Sequence, residues 1–122
     1  MTMTADFKQA ATLVGKILAG GQIAAATTNT TIYTVPALSA TKVATGALMN
    51  VSAATVTVSV SVVPSGGAVD GTHKILTATL AAGDSTTLPE ITGAFLDAGA
   101  FISVYASAAT AINYLLTGAV SA

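Results

Sequence analysis

The chain has no cysteine, which removes disulfides, thiolate metal sites and a cysteine nucleophile together. It has no tryptophan, and aromatic residues make up 5% of its 122 positions, too few for a platform that stacks sugars or bases. Arginine is missing as well; the basic residues are Lys8, Lys16, Lys42 and Lys74, far apart in sequence. Neutralising phosphates takes clustered basic groups, so nucleic acid is not an expected partner. Charge of either sign is scarce: 7% of residues are Asp, Glu, Lys or Arg, against roughly 25% in an average soluble domain. No charged residue lies between Lys16 and Lys42, or between Lys42 and Asp70. A soluble monomer ordinarily keeps its copies apart with mixed surface charge. A chain this short of it reads as part of an assembly rather than as a free enzyme.

The uncharged run 98–120 is long enough to suggest a membrane span. Ser103, Ser107, Thr110, Asn113 and Thr117 are spread through it, so no membrane partner is expected. At the start, Asp6, Lys8 and Lys16 interrupt the apolar residues, which argues against a secretion leader.

What is present is Ala, Thr, Ser and Val. Thr55-Val56-Thr57-Val58-Ser59-Val60-Ser61-Val62 alternates strictly, the pattern of a strand with one apolar and one hydroxyl face. Further strands are expected at 30–35, 42–51, 74–80, 85–88, 94–96, 101–107, 111–116 and 119–121, with 54–63 the clearest. Gly and Pro turns such as Pro64-Ser65-Gly66-Gly67 separate them. Segments 101–107 and 111–116 read as a closing hairpin. No helical pattern alternates with the strands, which excludes a parallel α/β sheet. The expected fold is all-β, a single antiparallel β-sandwich of jelly-roll or immunoglobulin-like type with about seven or eight short strands. Val56, Val58, Val60 and Val62 should face inward with Ile75 or Leu76, Ile102 and Val104.

Residues 1–21 read differently, as an N-terminal arm ahead of a sandwich domain at 22–122. Phe7, Ala10, Ala11, Val14, Ile17 and Leu18 recur at helical spacing, and Gly20-Gly21 makes a stop. Gly15 weakens that helix, so an extended arm is the other form expected. Its stripe (Phe7, Val14, Ile17, Leu18) is expected to dock outside the chain's own sandwich, with covering of its own sandwich as the competing arrangement.

Candidate chemistry is sparse. His73 is the sole histidine, and Asp70-Gly71-Thr72-His73 reads as a turn entering a strand, since Asp-Gly is a turn dipeptide. There is no Gly-x-Ser-x-Gly to supply a hydrolase nucleophile. The carboxylates Asp6, Asp70, Asp84, Glu90 and Asp97 stand at least six positions apart, with no local acid pair and no EF-hand loop. No catalytic residue, metal site or cofactor is expected. Asn29-Thr30-Thr31 and Asn50-Val51-Ser52 match a glycosylation pattern that is frequent by chance in a chain so rich in Ser and Thr. Tyr33 and Tyr105 sit in strand patterns and are expected to pack.

Tyr33-Thr34-Val35-Pro36, a strand ending in Asn50-Val51-Ser52, and Thr55-Val56-Thr57-Val58 come in a familiar order. Val63-Pro64-Ser65-Gly66-Gly67, Leu80-Ala81-Ala82-Gly83-Asp84-Ser85 and Leu96-Asp97-Ala98-Gly99 with Ile102-Ser103-Val104 continue it. Over about 22–120 the chain resembles small β-sandwich virion proteins of tailed bacteriophages, of the head-decoration and minor-tail type. Ala37-Leu38-Ser39-Ala40 departs from the glycine turn commoner there, and Ala100 from a frequent acidic residue. The resemblance implies a non-catalytic structural protein of the virion that binds the outer head surface and reinforces it. Its implied partners are the major capsid protein and copies of itself, with a trimer at a local threefold the expected symmetry. The alternative it leaves is a minor tail or receptor-binding module.

Overall fold

In the computed structural model, which describes residues 13–121, the alternating patterns become nine strands. They are β1 (Leu13–Gln22), β2 (Asn29–Thr34), β3 (Thr41–Asn50), β4 (Val56–Val63), β5 (Lys74–Leu80), β6 (Ser85–Thr87), β7 (Phe95–Leu96), β8 (Phe101–Ala106) and β9 (Ile112–Ser121). Sheet A runs β1-β9-β3-β6, with β7 also on β3, and sheet B runs β2-β8-β4-β5. Every pairing is antiparallel. Successive strands change sheet at each connection except β4 to β5 and β6 to β7. With β6 and β7 sharing one edge position, this is a jelly roll.

The inner faces meet in one core. Val56, Val58 and Val60 of β4 and Ile102 and Val104 of β8 are buried against Val43, Leu48 and Leu116 of sheet A. Each such side chain contributes about 1.5–3 kcal/mol on leaving water. Val62 packs on this core only partly covered, as do both Ile75 and Leu76. Val63 is fully buried instead; it sits against the turn at Pro64 and Gly67, where a Cβ on Gly67 would come within 2.9 Å of it. Between the sheets, Tyr33 Oη and Thr41 Oγ1 share a hydrogen bond of 2.7 Å.

Two expectations are corrected. From Leu13 onward the arm is neither a helix nor separate from the domain. It is a strand that lies along β9 from Leu13↔Ser121 to Gln22↔Asn113, so the sandwich includes at least 13–21. A bulge between Ile17 and Ala19 inserts Leu18 as an extra residue. That resets the period of two and imitates helical spacing, while Gly15, Gly20 and Gly21 remove what helix preference the segment had. The hydrogen bonds of β9's open side go to β1. Phe7 lies outside the described residues.

The second correction is the closing hairpin. β8 pairs in sheet B and β9 in sheet A, so the segment between them is an arch. Ser107 N donates to Thr57 O on one side at 2.9 Å, and Thr110 N to Ile23 O on the other at 3.0 Å. Thr110 takes a left-handed φ of 50° where the chain swings across. The expected segments 111–116 and 119–121 are one continuous strand, β9.

Candidate functional site

The sandwich has two outer faces of different character. On sheet A, register sets the rows Ile17–Thr117–Thr45, Gly20–Leu115–Ala47 and Gln22–Asn113–Met49 on the outside, with Lys42 beside Ala119 and Phe95. Ile17 and Phe95 are 64% exposed, and Met49 and Leu115 are 44% exposed. The polar groups here satisfy one another. Thr45 Oγ1 and Thr117 Oγ1 lie 2.6 Å apart, and Gln22 Nε2 donates to Asn113 Oδ1 at 3.0 Å. Lys42 is the one charge among the described strand residues of this face, and its Nζ sits 5.4 Å from the centre of the Phe95 ring, within cation–π range. Beside Met49 and Leu115 the face dips into a shallow hollow of about 260 Å³ that Ala47 and Tyr114 also line.

The stripe expected to make assembly contacts is therefore divided. Ile17 faces outward, whereas Leu18 packs on the chain's own core, because the bulge turns it inward. Val14 stands opposite Val120. Met49, Phe95 and Leu115 carry the exposed apolar surface that the pattern did not disclose. Leu115 precedes the buried Leu116 and Met49 follows the buried Leu48, so each reads as an extension of a core run.

The outer face of sheet B bears hydroxyls. Ser59–Tyr105–Asn29 and Ser61–Ser103–Thr31 form successive rows, and Ser59 also meets Thr77. The ten-residue connection between β4 and β5 stands over one end of this face and turns it into a cleft of about 420 Å³. Asn29, Ser59, Ser61, Asp70, Lys74 and Tyr105 line it, with Val69 and Gly71. Tyr105, expected to pack, is half-buried and borders the opening.

The turn at 70–73 forms as its sequence suggests. Asp70 Oδ1 accepts from Thr72 N at 2.9 Å and from Thr72 Oγ1 at 2.5 Å, and His73 Nδ1 lies 3.1 Å from it. His73 Nδ1 is also 2.8 Å from Ala68 O. These bonds, those from Thr72 foremost, hold the Asp70 carboxyl below its ordinary value. Among the described residues no Ser or Thr hydroxyl bonds to His73, and no three Asp, Glu or His side chains group as metal ligands.

Compared with protein-family models, with curated proteins and with solved structures, the chain finds no match. What the two faces can do must be read from their own chemistry. Sheet A offers a surface that sheds water cheaply, and sheet B offers a polar recess.

Elsewhere the tightest polar cluster is structural. Asn50, at the end of β3, is fully buried and donates through Nδ2 to the carbonyls of Ala54, Leu80 and Ala81. An amide so engaged has no room for a glycan. No helix among the described residues is long and apolar enough to cross a membrane.

Proposed function

We propose that this chain is a non-catalytic structural subunit of a tailed-phage virion, a decoration protein that binds the outer head surface and reinforces it. The outer face of sheet A carries this reading. Docking it buries Ile17, Met49, Phe95 and Leu115, each square ångström of apolar surface contributing about 25 cal/mol. Few charges must be stripped of water, and the neutral polar pairs already have partners, so desolvation takes little back. One such contact is modest. Repeated over a symmetric shell and linked to neighbouring copies, contacts of this size hold through multivalency. The partners are accordingly the major capsid protein and sister copies, arranged as a trimer at a local threefold. Jelly rolls also serve as viral capsid domains, an analogy of fold rather than of site.

Virions purified from the phage that encodes the chain should contain it in hundreds of copies by quantitative mass spectrometry. A handful of copies per particle would sink the coating role. The double substitution Ile17→Glu, Leu115→Glu should leave circular dichroism and thermal stability unchanged but abolish binding to heads stripped of the protein. Undiminished binding would remove sheet A from the interface.

A second reading, a minor tail or receptor-binding module, is favoured by the cleft on sheet B. Immunogold labelling of intact particles separates head from tail.

A further inference from the structure

We infer that the cleft between sheet B and the β4–β5 connection is a binding site for a neutral, hydroxyl-rich ligand, a saccharide unit. The inference rests on the cleft alone and holds for either placement on the virion.

Several of its groups are uncommitted, although Ser59 Oγ shares a hydrogen bond of 3.3 Å with Thr77 Oγ1. Among the described residues, no side-chain hydrogen bond or ion pair engages Asn29, Lys74 or Tyr105. Both side-chain hydrogen bonds to the Asp70 carboxylate, and the His73 contact, fall on Oδ1, which leaves Oδ2 to accept while fixing the carboxylate's orientation. Next to Ser61, which lines the cleft, Ser103 stands opposite in register and is 2% exposed. Its Oγ has no hydrogen-bond partner, a condition that buried hydroxyls rarely tolerate.

The inventory then selects the ligand. Lys74 and Asn29 donate, Asp70 Oδ2 accepts, Asn29 also accepts, and the serine hydroxyls do either. A vicinal diol presents donors and acceptors in the same mixture. One cation and one anion in the lining cancel, which disfavours phosphate, sulfate or a metal ion over a neutral molecule. The ring of Tyr105 gives one flat apolar surface for the C–H face of a sugar. The volume of about 420 Å³ lies in the small-ligand range of roughly 300–1,000 Å³. Scarcity of aromatics excludes an extended stacking platform, but not a recess with a single ring.

The test is a heteronuclear NMR titration of the intact chain with glucose, galactose, mannose and N-acetylglucosamine, each alone, with sodium phosphate as the charged control. At least one sugar should produce saturable, millimolar shifts confined to Asn29, Ser59, Ser61, Asp70, Lys74, Tyr105 and their neighbours, and phosphate should not. Asn29→Ala, which removes an exposed side chain that braces nothing, should weaken binding about tenfold, one good hydrogen bond's worth. Asp70→Asn should do so with the loop spectrum otherwise retained. Thr86→Ala on sheet A should change nothing. The inference is overturned if none of the four sugars shifts these residues, if phosphate competes for them, or if Asn29→Ala binds as tightly as the parent chain.

Discussion

Asn50 is a single side chain on which two connections converge, β3–β4 and β5–β6, and replacing it has a size that can be worked out. Nδ2 donates to Ala54 O at 2.7 Å, Leu80 O at 2.9 Å and Ala81 O at 3.2 Å, and Oδ1 accepts from Ser52 N at 3.0 Å and Ser52 Oγ at 2.7 Å. Its backbone binds the next turn as well, Asn50 N to Asp84 O at 2.8 Å and Gly83 N to Asn50 O at 3.0 Å. Two amide hydrogens shared by three carbonyls, with two accepted bonds, amount to about four hydrogen bonds at about 1 kcal/mol each. Asn50→Ala should therefore cost about 3–4 kcal/mol, a large share of a total stability of roughly 5–15 kcal/mol. At roughly 4 °C per kcal/mol for a domain of this size, Tm should fall by about 12–16 °C. Asn50→Asp sharpens the test. It keeps an acceptor for Ser52 but points carboxylate oxygens at three carbonyls in a buried site, which raises the folded-state pKa above the unfolded one. That variant should be less stable at neutral pH and recover part of the loss as pH falls toward the unfolded value, while Asn50→Ala should show no such recovery. Urea denaturation at two pH values reads both. A loss below about 0.5 kcal/mol for Asn50→Ala, or identical pH profiles for the two variants, would refute the reasoning.

Three further outcomes are expected. Gly118→Ala should cost about 1–3 kcal/mol or more in urea denaturation, because its Cβ would fall on the backbone carbonyl of Lys42 and within 3.0 Å of Leu18 Cδ1; a neutral effect would mean that the β3–β9 pairing gives way easily. Val58→Asp should yield insoluble protein, since it buries an unpaired charge at a fully covered position; a soluble variant of normal stability would disprove the assigned register. The bonds from Thr72 hold the Asp70 carboxyl below its ordinary value, so whatever it contributes is present above the unfolded value and is lost as pH falls through its native value. Thr72→Val should move its NMR titration midpoint upward and lower stability slightly above about pH 5, with no difference once pH is below the native value, and an unmoved midpoint would show that Thr72 is not the cause.

Much of the sheet framework is legible because burial on one face writes a period of two into the chain, as Val56, Val58 and Val60 show. β1 escapes notice because Leu18 is an extra residue in a bulge, which converts alternation into the spacing of a helix. The arch between β8 and β9 looks like a hairpin because its short length suits both. Only the long-range bonds from Ser107 to Thr57 and from Thr110 to Ile23 decide which sheet each end joins. The cleft is assembled from β2, β4, β5, β8 and the β4–β5 connection, and no local pattern links Asn29 to Lys74 or Tyr105. Asn50 is hidden for a similar reason. An Asn after a strand ordinarily marks a solvated turn, and its carbonyl partners at Leu80 and Ala81 are some thirty residues away.

The position of β9 between β1 and β3 has a consequence for synthesis. β9, an inner strand of sheet A, is the last of the nine strands in chain order, and its neighbours β1 and β3 do not pair with one another. A nascent chain stopped before Ile112 therefore holds two long strands with unpaired edges, the state most open to wrong pairing. Closing the register from Leu13 to Ser121 joins residues from opposite ends of the described chain, a topology that folds in roughly milliseconds to seconds rather than microseconds. Sheet A therefore cannot close until the chain through Ser121 is available. Its β1 segment, carrying Ile17 and the glycines, must wait exposed until the final strand arrives.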